Sequence, residues 1–259
     1  MVDLLISASN RGAHVSVFIA TNRASNSERR FYQGMVIVVI AMIALGFARS
    51  FILRPLFPGV HAPKELFFYL HGIVFTLWLA LLFTQVSLVG AGNIALHRRL
   101  GVAGFVLLPL MFVVGAIGGV IAAHRPGGFI DIATPPLEFL VVPYADLVVF
   151  SGFAAAALLL RTRPQAHKRL MLLAAIAISE VGIARWPFEP YVSVPAAAMW
   201  TTAALVVPLL IWDFYSRRNI HPATAIGALV LVAEGPVRDA ISHTGWWLAF
   251  AKWATSFVA

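Results

Sequence analysis

The feature that most constrains this chain is the length of its apolar blocks. Residues 34–53, 66–89, 100–123, 137–160, 169–184, 194–212 and 222 to about 240 are each dominated by apolar side chains. A bilayer core about 30 Å thick takes roughly 20 such residues as a helix. A helix also satisfies its own backbone N–H and C=O groups inside hydrocarbon. The blocks therefore predict an all-α integral membrane protein, a seven-transmembrane helix bundle. The fifth block is short and extends to about Trp186, and the seventh is the weakest because Glu234, Pro236, Arg238 and Asp239 interrupt it. Beyond it, Trp246, Phe250, Trp253 and Phe257 recur at helical spacing. That pattern reads as an aromatic amphipathic helix lying in the membrane interface. The predicted organisation is a polar cytoplasmic tail over 1–33, a seven-helix domain over 34–243 and an interfacial helix over 244–259.

Composition points the same way. Only 12% of the 259 residues are charged and 60% are hydrophobic, where a soluble domain carries about 25% charged residues. This deficit excludes a soluble enzyme, a disordered protein and a nucleic-acid-binding domain, despite a net charge of +8. The chain has no cysteine, so disulfides, thiolate metal sites and cysteine nucleophiles are excluded. The first thirty residues are polar, with a short apolar run at 15–20 and no small-residue cleavage site. The first span then serves as an uncleaved signal anchor.

Lys and Arg predict the orientation. With the N-terminus inside, 12 of the 19 basic residues fall in inner segments, while 8 of the 11 acidic residues lie toward the outer face. Short basic loops stay cytoplasmic, so the N-terminus is expected in the cytoplasm and the C-terminus outside a bacterial inner membrane. The excess charge belongs to a rim facing anionic headgroups, and nucleic acid is not needed as a partner.

Three inner loops end alike. Leu96-His97-Arg98-Arg99-Leu100 opens the third span, Ala166-His167-Lys168-Arg169-Leu170 the fifth, and Ile220-His221-Pro222 the seventh. This predicts one solitary helix followed by three hairpin-like repeats, and sites in repeat-built membrane folds often lie between repeats. Glu180 lies thirteen residues after His167, and Glu234 thirteen after His221. At ~1.5 Å per residue both stand ~20 Å from the inner face. Asp146 lies about nine residues into the fourth span from outside, near the same level, and His71 holds the matching place on the second span. Trp78 and Gln85 follow His71 at seven-residue steps, a face expected to point into the bundle.

Ionisable side chains inside a membrane are expensive and mark functional sites by default. His71, Asp146, Glu180 and Glu234 are the expected ligand-binding group, with Arg49, Arg185 and Arg238 as counter-ions. Three readings stay open. The group is a divalent-metal site, since imidazole and carboxylates suit Fe, Mn or Zn. It is a proton relay or polar pocket for a small ligand, cation or lipid head group. Or it is a balanced salt-bridge network of three carboxylates and three arginines. Haem b is a further option through His71 and His124. His97, His167 and His221 read either as a cytoplasmic metal site or as interfacial residues beside headgroups. The glycine-rich outer segment 124–131 reads as a lid over an outer pocket or as an ordinary surface loop.

His71, Trp78, Gln85 and the elements His97-Arg98-Arg99-Leu100-Gly101 (HRRLG), His167-Lys168-Arg169-Leu170-Met171 (HKRLM) and His221-Pro222 together resemble a set of uncharacterised bacterial multi-pass membrane proteins. The HRRLG element is similar to the domain-of-unknown-function group 2306. The resemblance covers most of residues 30–250 and implies fold and localisation. It carries no chemistry, so no catalytic residue transfers. The expected function is that of an inner-membrane protein with a polar pocket in its outer half. The alternatives are a membrane metalloenzyme or haem-b redox protein, and an accessory subunit that partners other membrane proteins as well as the lipid bilayer.

Overall fold

The computed structural model describes residues 26–258, apart from Ala62, Lys64, Asp131 and residues 189–193. Most of the sequence-predicted polar tail, residues 1–25, lies outside the described residues. Among those described, every regular element is a helix.

Helix α1 covers Asn26–Ile52, and its last turn widens to a π-helix over Ala48–Ile52. It therefore starts inside what the sequence assigned to the tail. The reason is packing: Phe31 stacks on Trp212 at 4.6 Å between ring centroids, and Tyr32 is buried. Helix α2 runs over Leu66–Gly90. Asn93 starts α3 (Ile94–Gly101), its Oδ1 accepting the Leu96 N–H at 3.1 Å, as an N-cap residue should. After a break at Val102, α4 continues over Ala103–His124. Helix α5 (Pro136–Phe139) leads through Leu140 into α6 (Val141–Leu159). Pro164 opens α7 (Pro164–Ile183) and Pro222 opens α10 (Pro222–Ser242), first-turn positions where the missing N–H costs nothing. Between them lie α8 (Val194–Ala204) and α9 (Val207–Arg217), separated by a kink before Pro208. Helix α11 covers Gly245–Thr255.

Five helical stretches are long and apolar enough to cross a membrane: α1, α2, α3 with α4, α5 with α6, and α8 with α9. The other two predicted spans, α7 and α10, are 20 and 21 residues long. That length suits a bilayer, but both carry charge: Lys168, Arg169 and Glu180 on α7, and Glu234, Arg238 and Asp239 on α10. For α7 the environment explains the charge. Helix α7 is the centre of the bundle, packed by α6, α8 and α10, and Leu173, Ala174, Ala175 and Ile176 are completely enclosed. A helix surrounded by protein shows lipid little of its polarity.

Helix α1 closes on α7 through glycine. A Cβ on Gly46 would fall 1.9 Å from the Gly182 carbonyl oxygen, and one on Gly182 would fall 2.7 Å from Ile43 Cα. Backbone meets backbone here, the contact small residues permit in membrane helices. Trp186 adds a bond from Nε1 to the Met42 carbonyl at 3.2 Å. The predicted hairpin partners are neighbours, α2 on α4, α6 on α7 and α9 on α10. Helix α11 docks on α4 and α5 through Trp247, whose Nε1 donates to the Leu137 carbonyl at 2.9 Å, while Trp246, Trp253 and Phe257 face outward.

Candidate functional site

Two buried polar clusters hold α7 and α10 together, one toward each end. They differ in how completely their groups are satisfied.

The first stands where α6, α7 and α10 meet. Arg238 of α10 donates from Nη1 to Asp146 Oδ1 of α6 at 3.0 Å, and from Nη2 to Glu180 Oε1 of α7. The three side chains are only 7%, 4% and 7% exposed respectively. Glu234 stands one turn before Arg238, on the same side of α10, and both Asp146 and Glu180 feel its charge. Its Oε1 is buried without a hydrogen-bond partner. One guanidinium thus faces three carboxylates, and two of them occupy it.

The second cluster was read from sequence as part of the basic inner rim. The structure buries it instead. Arg169 and Asp213 have no exposed side-chain surface. Arg169 Nε donates to Asp213 Oδ1 at 3.0 Å and Oδ2 at 3.1 Å, and Nη2 also donates to Oδ1. Nη1 donates to the Gln165 carbonyl at 2.8 Å and to its Oε1 at 2.7 Å. Asp213 Oδ2 further accepts from Thr224 Oγ1 at 2.6 Å and from the His221 N–H at 3.1 Å. A carboxylate has about four acceptor positions, and those of Asp213 are used. This network ties the starts of α7 and α10 to the end of α9 and leaves no vacant group for a ligand. A sequence signal existed: Asp213 is a lone acid at the inner end of a span, and Gln165 and Arg169 are an i, i+4 pair.

Beside it, His221 caps α10, its Nδ1 accepting the Ala223 N–H at 3.1 Å. Partial burial, then repulsion from Arg169 and Arg217, hold this histidine below its ordinary value. The ring is therefore neutral at neutral pH, as an accepting Nδ1 requires. His97 and His167 do approach each other, with ring centroids 6.4 Å apart, while His167 Nδ1 contacts the Ala157 carbonyl at 2.8 Å.

The remaining predicted residues are placed elsewhere. Arg49 lies over the Phe57 ring at 6.0 Å and Arg185 over Phe47 at 4.3 Å. Both side chains are exposed and carry no ion pair with the carboxylates among the described residues. Among the described residues Arg238 alone is the counter-ion. His71 stacks on Phe75 at 4.2 Å, with Nδ1 buried and unpartnered. It packs against Gly118 of α4, where a Cβ would fall 3.2 Å from Nδ1. His124 is exposed at the end of α4, six residues on and so about 9 Å farther along the helix. Among the described residues no three His, Asp or Glu side chains converge to hold a metal ion. Arg238 stands where a cation would sit between Asp146 and Glu180. Glu138, at the mouth of α6, faces His243 Nδ1 at 3.3 Å. Trp78 points inward as expected, edge-on to Phe150 at 5.3 Å.

No protein-family model, curated protein or solved structure matches the chain.

Proposed function

We propose that this is a seven-helix bacterial inner-membrane protein that binds a proton or a small monovalent cation at Glu234, beside Asp146, Glu180 and their counter-ion Arg238. In this reading α7 and α10 also cross the bilayer, the N-terminus is cytoplasmic and the C-terminus lies outside. The packing of α2 on α4, α6 on α7 and α9 on α10, together with the basic loops at one end, supports that topology.

The observation that carries the functional reading is the imbalance of the cluster. Three ionised carboxylates and one guanidinium would leave two uncompensated negative charges in a low-dielectric interior. Isolated buried charge is strongly disfavoured there. A proton or a cation at Glu234 reduces the imbalance, and its unpartnered Oε1 is the free acceptor such a guest needs. An anionic head group is disfavoured at the same place, because Arg238 is already occupied by two carboxylates.

Infrared difference spectroscopy on the purified protein tests this. A protonated-carboxyl band, or a band shift on adding sodium or potassium, is expected in the wild type and should vanish in Glu234→Gln. A wild-type spectrum with neither response refutes the reading.

A further inference from the structure

A second concavity lies well away from the carboxylates, between two loops the proposed function does not use. The segment following α1 and the segment following α4 enclose a cavity of about 770 Å³. Arg54, His61 and Arg125 line it together with Gly127 and Gly128, and the described lining contains no carboxylate. Arg125 is held rigidly: its Nε donates to Glu65 Oε1 at 2.7 Å and its guanidinium lies over Phe68 at 5.1 Å. Its Nη2 remains buried without a hydrogen-bond partner. Gly127 and Gly128 both have positive φ, at 83° and 72°. They turn the loop tightly, and a Cβ on Gly128 would fall 2.4 Å from Pro136 Cγ. The space in front of Gly127 is open.

The segment that carries Arg54 also exposes apolar side chains: Leu53, Leu56 and Phe57 flank Arg54 in sequence and Leu66 starts α2, with Leu56 72% and Leu66 82% exposed. Exposed leucines beside a cationic concavity at the ends of membrane-length helices make an amphiphilic surface. Its charge suits a phosphate and its leucines suit acyl chains.

We infer that this cavity binds the headgroup of an anionic phospholipid, with Arg54 and Arg125 on the phosphate and the chains along Leu53, Leu56 and Leu66. Arginine is suited to this because its planar fork donates two parallel hydrogen bonds to phosphate oxygens. The site is independent of the carboxylate cluster, so failure of either reading leaves the other standing.

The test is calorimetric titration of the full chain, purified in a non-ionic detergent. The probes are dihexanoyl-phosphatidylglycerol, dihexanoyl-phosphatidylcholine and inorganic phosphate. Phosphatidylglycerol is expected to bind at least about tenfold more tightly than phosphatidylcholine, whose ammonium the arginines repel, and than inorganic phosphate, which lacks acyl chains. Arg54→Gln should weaken it by about tenfold, and Arg54→Lys by less. The inference is overturned if phosphatidylglycerol and phosphatidylcholine bind alike, or if the folded Arg54→Gln protein binds as the wild type does. Inorganic phosphate binding as tightly as the lipid overturns the lipid assignment in favour of a soluble anion. The three-probe comparison on wild type stands even if the variant fails to fold.

Discussion

Replacing Arg238 with Met should be among the most damaging single changes available in this protein. The guanidinium is 7% exposed and bonds two carboxylates that are equally enclosed. Its removal leaves Asp146 and Glu180 buried, with Glu234 beside them, and nothing to offset their charge. Breaking a buried pair from one side costs about 3–5 kcal/mol, much more than the pair itself contributes. Two partners place the expected loss at the upper part of that range. Equilibrium unfolding in mixed micelles, followed by circular dichroism, reads it directly. The same measurement on Asp146→Asn/Glu180→Gln/Arg238→Met should recover about 1–3 kcal/mol, the coupling usual for contacting groups. The recovery arises because the triple variant no longer buries Asp146 and Glu180 as unpaired charges and leaves only Glu234. The reasoning is refuted if Arg238→Met unfolds within about 1 kcal/mol of the wild type, or if the triple variant is no more stable than the single one. Either result would mean that water or lipid headgroups reach the cluster and already screen it.

Other consequences follow from the same geometry. Gly46→Ala should lower stability by about 1–3 kcal/mol, because its Cβ meets the Gly182 carbonyl at 1.9 Å; Gly72→Ala, with open space around it, should be neutral or slightly stabilising in the same unfolding assay. Asp213→Ala should cost about 3–5 kcal/mol, since Arg169 would remain fully enclosed with its main acceptor gone, and limited proteolysis should show the α9–α10 junction opening first. For His221 the folded ring binds protons less readily than the unfolded one, whose value is about 6.5. Stability therefore falls as pH drops below that value, through loss of the α10 cap, and the corresponding part of the pH dependence should be missing from His221→Asn.

Much of the candidate site was legible because helices convert residue counts into depth. Thirteen residues separate His167 from Glu180 and His221 from Glu234, and a rise of ~1.5 Å per residue carries both to one level. Asp146 reaches that level from the other side, and Asp146, Glu180 and Arg238 do meet. The choice of arginine was not legible. Arg49, Arg185 and Arg238 have similar depth but differ in azimuth, and only the packing of α6, α7 and α10 decides which faces the carboxylates. Depth comes from counting along one helix, whereas azimuth depends on how neighbours rotate against each other. His71 shows the same limit: it shares a level with the carboxylates by count, yet Phe75 and Gly118 hold it against α4.

The inner network marks the boundary more sharply. Arg169 and Asp213 sit among basic residues at helix ends, where sequence pattern assigns them to a solvated rim. Their burial depends on α7 being enclosed on several sides, which no single helix can signal. What the sequence by itself determined is the class of the protein: apolar blocks of membrane length, capped by Asn93, Pro164 and Pro222, form helices wherever they pack. Tertiary structure decided which scarce charges become a saturated clamp at Arg169–Asp213 and which remain an unbalanced cluster at Asp146, Glu180 and Glu234. The reason is that hydrophobicity and backbone hydrogen bonding act locally along the chain, while the charge state of a buried group depends on what three different helices bring within 3 Å of it.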